Sequence, residues 1–338
     1  MIKSTRLLML AGSSLCSLLT GCASTRNTTT IPTTEDGHLI LENERLQLHL
    51  PDPTAAEPYY QGQRFTLPGM VIGARWQGVD MFTELGLPNR NPKAHDHVGG
   101  TAEEFDINGP ADYDDTPVGG AFMKIGVGLL RREDDGNYRF SRAHEVVRAP
   151  KNEVEVLDRQ TIRFIQTLED TDGDRGYLLR VTVQLQENGF TVSRTLQNLG
   201  GQPLETEHYS HNFIQIDGLP VGPDYRIHWP IPLEVAQANS RQNVMTAEPT
   251  GISFAAIPEG HYYYASEAGS GLPADQPIKL DQLERGLRLR IINDRPLHRV
   301  AIWGGADVIC PEPFVKLLIA PGETIAWNTT YEIAGIEE

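Results

Sequence analysis

Leu179-Arg180-Val181-Thr182-Val183-Gln184-Leu185 alternates apolar and polar side chains at every step. That is the period of a strand with one face in a core and the other toward solvent. Downstream, Glu187-Asn188-Gly189 separates it from a second such run at 190–198, which ends in Asn198-Leu199-Gly200-Gly201. Asn-Gly and Gly-Gly pairs suit tight hairpin turns. Upstream, Asp170-Thr171-Asp172-Gly173-Asp174-Arg175-Gly176 divides it from the run at 161–168. Further strand-like runs cover 38–41, 46–50, 70–76, 122–130, 153–157, 205–216, 287–292, 299–303, 314–319 and 324–333, and long amphipathic helical stretches are nearly absent. Pro220, Pro223, Pro230 and Pro232 predict an irregular loop over 219–232, because each removes an amide donor that a ladder would need. No repeat of about 20–50 residues is visible, which argues against a propeller or solenoid. One large, all-β antiparallel sandwich is the economical architecture.

The start of the 338-residue chain reads as an address. Lys3 and Arg6 precede the apolar run Leu7-Leu8-Met9-Leu10-Ala11, and the segment closes on Leu18-Leu19-Thr20-Gly21-Cys22, a pattern too short for a spanning helix. Leu19, Thr20 and Gly21 before Cys22 resemble a bacterial lipobox. The expected organisation is a lipoprotein signal peptide at 1–21, a Ser/Thr/Asn/Pro-rich tether at 22–36 behind a lipidated Cys22, and a folded domain over 37–336. Ala23 and Ser24 leave no Asp after the cysteine, which favours a periplasm-facing outer-membrane lipoprotein. Cleavage would remove Lys3 and Arg6, taking the net charge of −16 two units further negative. So acidic a surface excludes nucleic acid and anionic lipid as partners. Of three cysteines, Cys16 leaves with the signal and Cys22 is acylated, so Cys310 has no partner for an internal disulfide.

Three distant stretches place titratable side chains beside backbone breakers or aromatics. They are His95-Asp96-His97-Val98-Gly99-Gly100, His208-Tyr209-Ser210-His211-Asn212-Phe213 and Cys310-Pro311-Glu312-Pro313-Phe314. One group that takes the proton of an anomeric hydroxyl and another that protonates the ring oxygen can open and reclose a sugar, with no metal or organic cofactor.

The stretch His97-Val98-Gly99-Gly100-Thr101-Ala102-Glu103-Glu104-Phe105 resembles the His-Gly-Gly segment of galactose mutarotases, with Val98 inserted. His211-Asn212-Phe213 is similar to their second histidine motif, one position shorter. Val308-Ile309-Cys310-Pro311-Glu312, then Ala320-Pro321-Gly322-Glu323-Thr324, Trp327 and Tyr331, resemble their C-terminal glutamate, Pro-Gly-Glu-Thr turn and last strand. The matches keep the family's order. Resemblance to this aldose 1-epimerase-related superfamily implies a β-supersandwich whose cleft holds two histidines and a glutamate. Carried over by residue, Glu312 is the base at the anomeric hydroxyl, His211 the acid at the ring oxygen and His97 an orienting partner. Pro311 and Pro313 flanking Glu312 depart from the pattern, and suit either a rigidly presented carboxylate or a surface turn.

On a regular strand 207, 209, 211 and 213 share one face and 208, 210 and 212 the other, so only one of His208 and His211 can enter the cleft. His211 is favoured by the Asn212-Phe213 that follows it, with His208 kept as a substrate-binding candidate. Arg64 is a candidate cation for Glu312 or for a sugar carboxylate. Trp303 and Tyr209, with Trp76, Tyr225 and Trp229, are candidates for a ring platform under sugar C–H faces, and Asp224 or Asp217 for bonding hydroxyls. His95, Asp96, His97, His208 and His211 include zinc-ligand types, but no Cys cluster or helical His-Glu-x-x-His accompanies them, and no metal is expected. The acidic run 170–174 opens like a calcium loop, yet Arg175 and Val181 stand where Gly and the bidentate Glu belong, so it reads as a hairpin. The leading expectation is an aldose 1-epimerase-like lipoprotein acting on free sugar or an oligosaccharide end. Its rivals are a non-catalytic carbohydrate binder and a uronate-directed epimerase or lyase on the same frame.

Overall fold

The computed structural model describes residues 1, 30–169 and 174–336. The signal segment, Cys22 and positions 170–173 of the acidic hairpin lie outside the described residues. Two large antiparallel sheets dominate. One has ten strands, running from the edge strand Lys151–Asp158 through Gly189–Asn198 and Thr324–Gly335 to Met245–Glu248. The other has seven, ordered Val235–Ser240, Tyr262–Ser266, Arg299–Gly305, Val308–Ile319, Leu204–Phe213, Gly100–Phe105 and Thr66–Val71. Small sheets of four and three strands flank them. The helical segments described are two single 3₁₀ turns, Ile216–Gly218 and Arg241–Asn243, and no described helix is long and apolar enough to cross a membrane.

The all-β sandwich expected from the alternation is therefore the observed one, and for the expected reason. Leu179, Val181, Val183 and Leu185 point into the core while Arg180, Thr182 and Gln184 point out. Leu39–Glu42 is the first strand, and Thr33 bridges back to Leu39 while Ile31 packs on the core, so the end of the expected tether touches the domain.

Three local expectations are corrected. Within 219–232, Tyr225–His228 forms a strand, because the prolines bracket that stretch and leave its own amides free for pairing. The run 122–130 is a hairpin of Ala121–Lys124 and Gly128–Arg131, turned at Gly126 with φ of 86°. The last site motif lies in neither a turn nor a surface loop: Val308–Ile319 continues straight through Pro311, Glu312 and Pro313.

Gly100 explains the glycine of the first motif. It has φ of 66°, and a Cβ there would lie 1.9 Å from the Val71 carbonyl oxygen. Only glycine lets the two backbones approach so closely at that dihedral. Gly100→Ala is expected to cost at least about 1–2 kcal/mol from the backbone conformation alone, read as a lower urea midpoint.

Candidate functional site

The site begins where a ladder breaks. Strand Leu204–Phe213 pairs with Val308–Ile319 from Leu204↔Ile319 to Tyr209↔Phe314, stops, and bridges again only at Ile214↔Ile309. Pro311 and Pro313 are two residues apart, so their missing N–H groups fall on one strand edge. On the other edge pairing is unbroken, with Ala301 opposite Glu312. Asn212 spans the gap by donating Nδ2–H to the Pro311 carbonyl at 2.7 Å while its own oxygen accepts from Tyr331. Opposite the break stand His211 and Glu312, with Nε2 3.2 Å from Oε1. The prolines thus make room for this pair instead of framing a loop.

Around them lies a cleft of about 400 Å³, lined by Arg64, His95, Phe140, Trp303 and Phe314 among others. Period-two alternation supplies its floor: His211 and Phe213 from one strand, Glu312 and Phe314 from the next, Arg299 and Trp303 from the third and Tyr263 from the fourth. His211 stacks on Phe213 at 4.2 Å and meets Trp303 edge-on at 5.7 Å. Arg64 donates from Nε to Glu104 at 2.8 Å and from Nη2 to the Tyr209 hydroxyl at 3.1 Å, with Phe140 4.3 Å over its guanidinium. Buried Lys124 also donates to Glu104, at 3.4 Å. A larger cavity of about 580 Å³ beside Asp112, Met123 and Asn198 has no imidazole or aromatic ring in its lining.

Burial decides how the pair is protonated. Desolvation pushes the Glu312 carboxyl up to about 8, against the opposing pull of Arg64 and Arg299. Burial, reinforced by Arg64, holds the His211 imidazole well below its usual value. Near neutral pH the two therefore carry one proton between them as an uncharged carboxyl and imidazole. Passing that proton from Glu312 to Nε2 produces a carboxylate base and an imidazolium acid in one step. Nδ1 of His211 is buried with no hydrogen-bond partner among the described residues.

The structure brings together His211, Glu312, Arg64 and Trp303 from the residues singled out in the sequence. It does not bring His97, His208, Tyr209 or Asp224 into the cleft lining. His97 turns aside, its Nδ1 accepting from the Asn91 amide at 2.9 Å and its ring lying against Gly86. His95 and Asp96 line the cleft instead. His208 faces the space between the sheets, where Nε2 is 3.3 Å from Glu103 and Nδ1 accepts from Trp327. Tyr209 shares the His211 face but is fully buried and does not line the cleft, stacked on Phe314 at 4.2 Å and accepting from Arg64. Asp224 is exposed and its carbonyl accepts from Leu283, away from the cleft lining. No three His, Cys, Asp or Glu among the described residues are grouped to hold a metal ion. Sequence reasoning missed Arg299, Tyr263 and Phe140 in the lining. Arg299 was legible in principle, because it shares the phase of Trp303 on one strand.

No protein-family profile matches the chain. No curated protein matches it either. Solved structures do. A galactose mutarotase-like protein from Lactobacillus casei superposes with a TM-score of 0.55 at 12% identity, covering 88% of this chain and 100% of its own. A galactose mutarotase-like protein from Clostridium acetobutylicum gives 0.55 at 11%, covering 90% and 98%. A galactose mutarotase related enzyme from Lactobacillus acidophilus gives 0.52 at 11%, covering 88% and 98%. The chain has the galactose mutarotase-like sandwich fold.

Proposed function

We propose that the cleft binds a free sugar and that His211 and Glu312 interconvert its anomers, as an aldose 1-epimerase does. The observation that carries this reading is their 3.2 Å contact, buried beside Trp303 on the floor of a concave site. In the cycle the Glu312 carboxylate takes the O1 proton while the His211 imidazolium protonates O5, opening the ring to the aldehyde. Rotation about C1–C2 and reversal of both transfers close it on the other face, returning both protons. Purified protein tests the reading in polarimetry: the optical rotation of fresh aldose relaxes faster in proportion to protein concentration. Relaxation at the buffer rate for a panel of aldoses and sugar acids ends it.

A second reading, a carbohydrate binder without catalysis, is favoured by the absence of His97 from the cleft lining. Calorimetric binding without acceleration of anomer exchange selects it.

Lipid anchoring through Cys22, with an outer-membrane location facing the periplasm, belongs to the same proposal and rests on the lipobox-like Leu19-Thr20-Gly21-Cys22. Full-length protein made in a Gram-negative host is expected to incorporate labelled palmitate, and Cys22→Ser to lose all of the label. Label retained in that variant would place the acyl chain on another residue, and an unlabelled wild type would end the anchoring reading.

A further inference from the structure

Two guanidinium groups line one cleft in a chain of net charge −16. Arg64 is clamped by Glu104 and Tyr209 and covered by Phe140. Arg299 is clamped by Glu207 through Nε at 3.3 Å and Nη2 at 3.1 Å, and its carbon lies 3.4 Å above the Phe314 ring. A guanidinium has five N–H donors in a fixed fork, so both keep donors to spare while unable to swing.

Their remaining counter-ion is not Glu312. That carboxyl stays raised to about 8 in spite of both arginines, and its close partner is His211. Around the floor, Arg64, Lys124 and Arg299 are set against Glu104, Glu207 and Asp106, the carboxylate that faces Lys124, so the fixed charges balance and what the two guanidinium groups offer a ligand is their unused N–H donors. Asp96, half exposed at the mouth beside His95, is left to water. Arg299 stands two residues along its strand from Ala301, the partner of Glu312, a step of about 6–7 Å. Arg299 and Glu312 both line the same cleft, so one bound ring can meet them at different ends.

We propose that the cleft takes a sugar acid, a hexuronate-type ring whose C5 carboxylate docks on Arg299 while its anomeric end meets His211 and Glu312. This rests on the sugar-binding reading above and adds the substrate class. The planar guanidinium fork suits the two oxygens of a carboxylate.

The test ranks substrates on the unaltered full-length protein at low salt: glucuronate and galacturonate against glucose, galactose and glucose 6-phosphate, by anomer exchange and by calorimetry. The uronates are expected to exceed the neutral sugars at least tenfold in kcat/KM or in affinity. Arg299→Gln should cut that ratio tenfold or more, chiefly through KM. Equal or better handling of neutral hexoses, preference for the phosphate, or an unchanged ratio in Arg299→Gln overturns the substrate class and leaves the acid–base reading standing. Uronate binding without acceleration supports the class and moves the function to the binder. Neither binding nor acceleration of any sugar ends both. The ranking decides the matter even if the variant does not fold.

Discussion

In polarimetry the Glu312→Gln protein leaves sugar anomers to equilibrate at the spontaneous rate, a loss of about 10²–10⁴-fold in the accelerated component. The amide fills the same space but cannot receive the O1 proton, so sugar affinity should change far less than turnover. Wild-type activity should fall as pH rises through about 8, where the His211–Glu312 pair loses the proton it shares. The same substitution reports on stability with a definite sign. The folded carboxyl titrates near 8, against about 4.3 for an unfolded glutamate. Between those values the native state holds the extra proton, so wild-type stability declines as pH rises through the window. Glu312→Gln lacks that decline: it should match wild type near pH 5 and melt at a higher temperature near pH 9. Full retained activity, or a variant less stable at pH 9, would rule out the role assigned to Glu312.

Arg194→Met is expected to destabilise the fold by about 3–5 kcal/mol, the cost of leaving a buried charge unmatched. Arg194 comes from the ten-stranded sheet and Glu103 from the seven-stranded one, and they meet inside the sandwich with Nε 2.7 and 2.8 Å from the two carboxylate oxygens. Burial alone would raise the Glu103 carboxyl, but Arg194 and His208 outweigh it and hold it down to about 2. A depressed carboxylate contributes stability above its unfolded value and loses it as pH falls toward the folded one. Wild type should therefore weaken from about pH 4 downward, and the variant should already be weak at neutral pH. Urea titration at pH 7 measures the difference. A loss under about 1 kcal/mol would mean water or a neighbour takes over the carboxylate.

The buried network also shows why only part of the site could be read along the chain. His208 and His211 look equivalent in sequence, and alternation requires that they point to opposite faces without saying which face is the cleft. Tertiary packing settles it: Glu103 and Trp327 take His208 into the interior, and Glu312 meets His211 outside it. The His97 motif was legible through its glycine, but Gly100 serves a close backbone approach to Val71 and the imidazole turns toward the Asn91 amide. Phe140 gave no local signal, since a lone phenylalanine looks the same on a surface loop as on a cleft wall, and Arg299 was marked only by its phase with Trp303.

What the chain alone determined is its β character and much of its strand set, because a side-chain period of two and turn residues such as Asn188-Gly189 are local properties. What only the folded molecule decided is which groups share a proton and which stand ready for an anion. Those depend on the phase of pairing between distant strands, and on a ladder that opens at Pro311 and Pro313 because two amide donors are missing from the same edge.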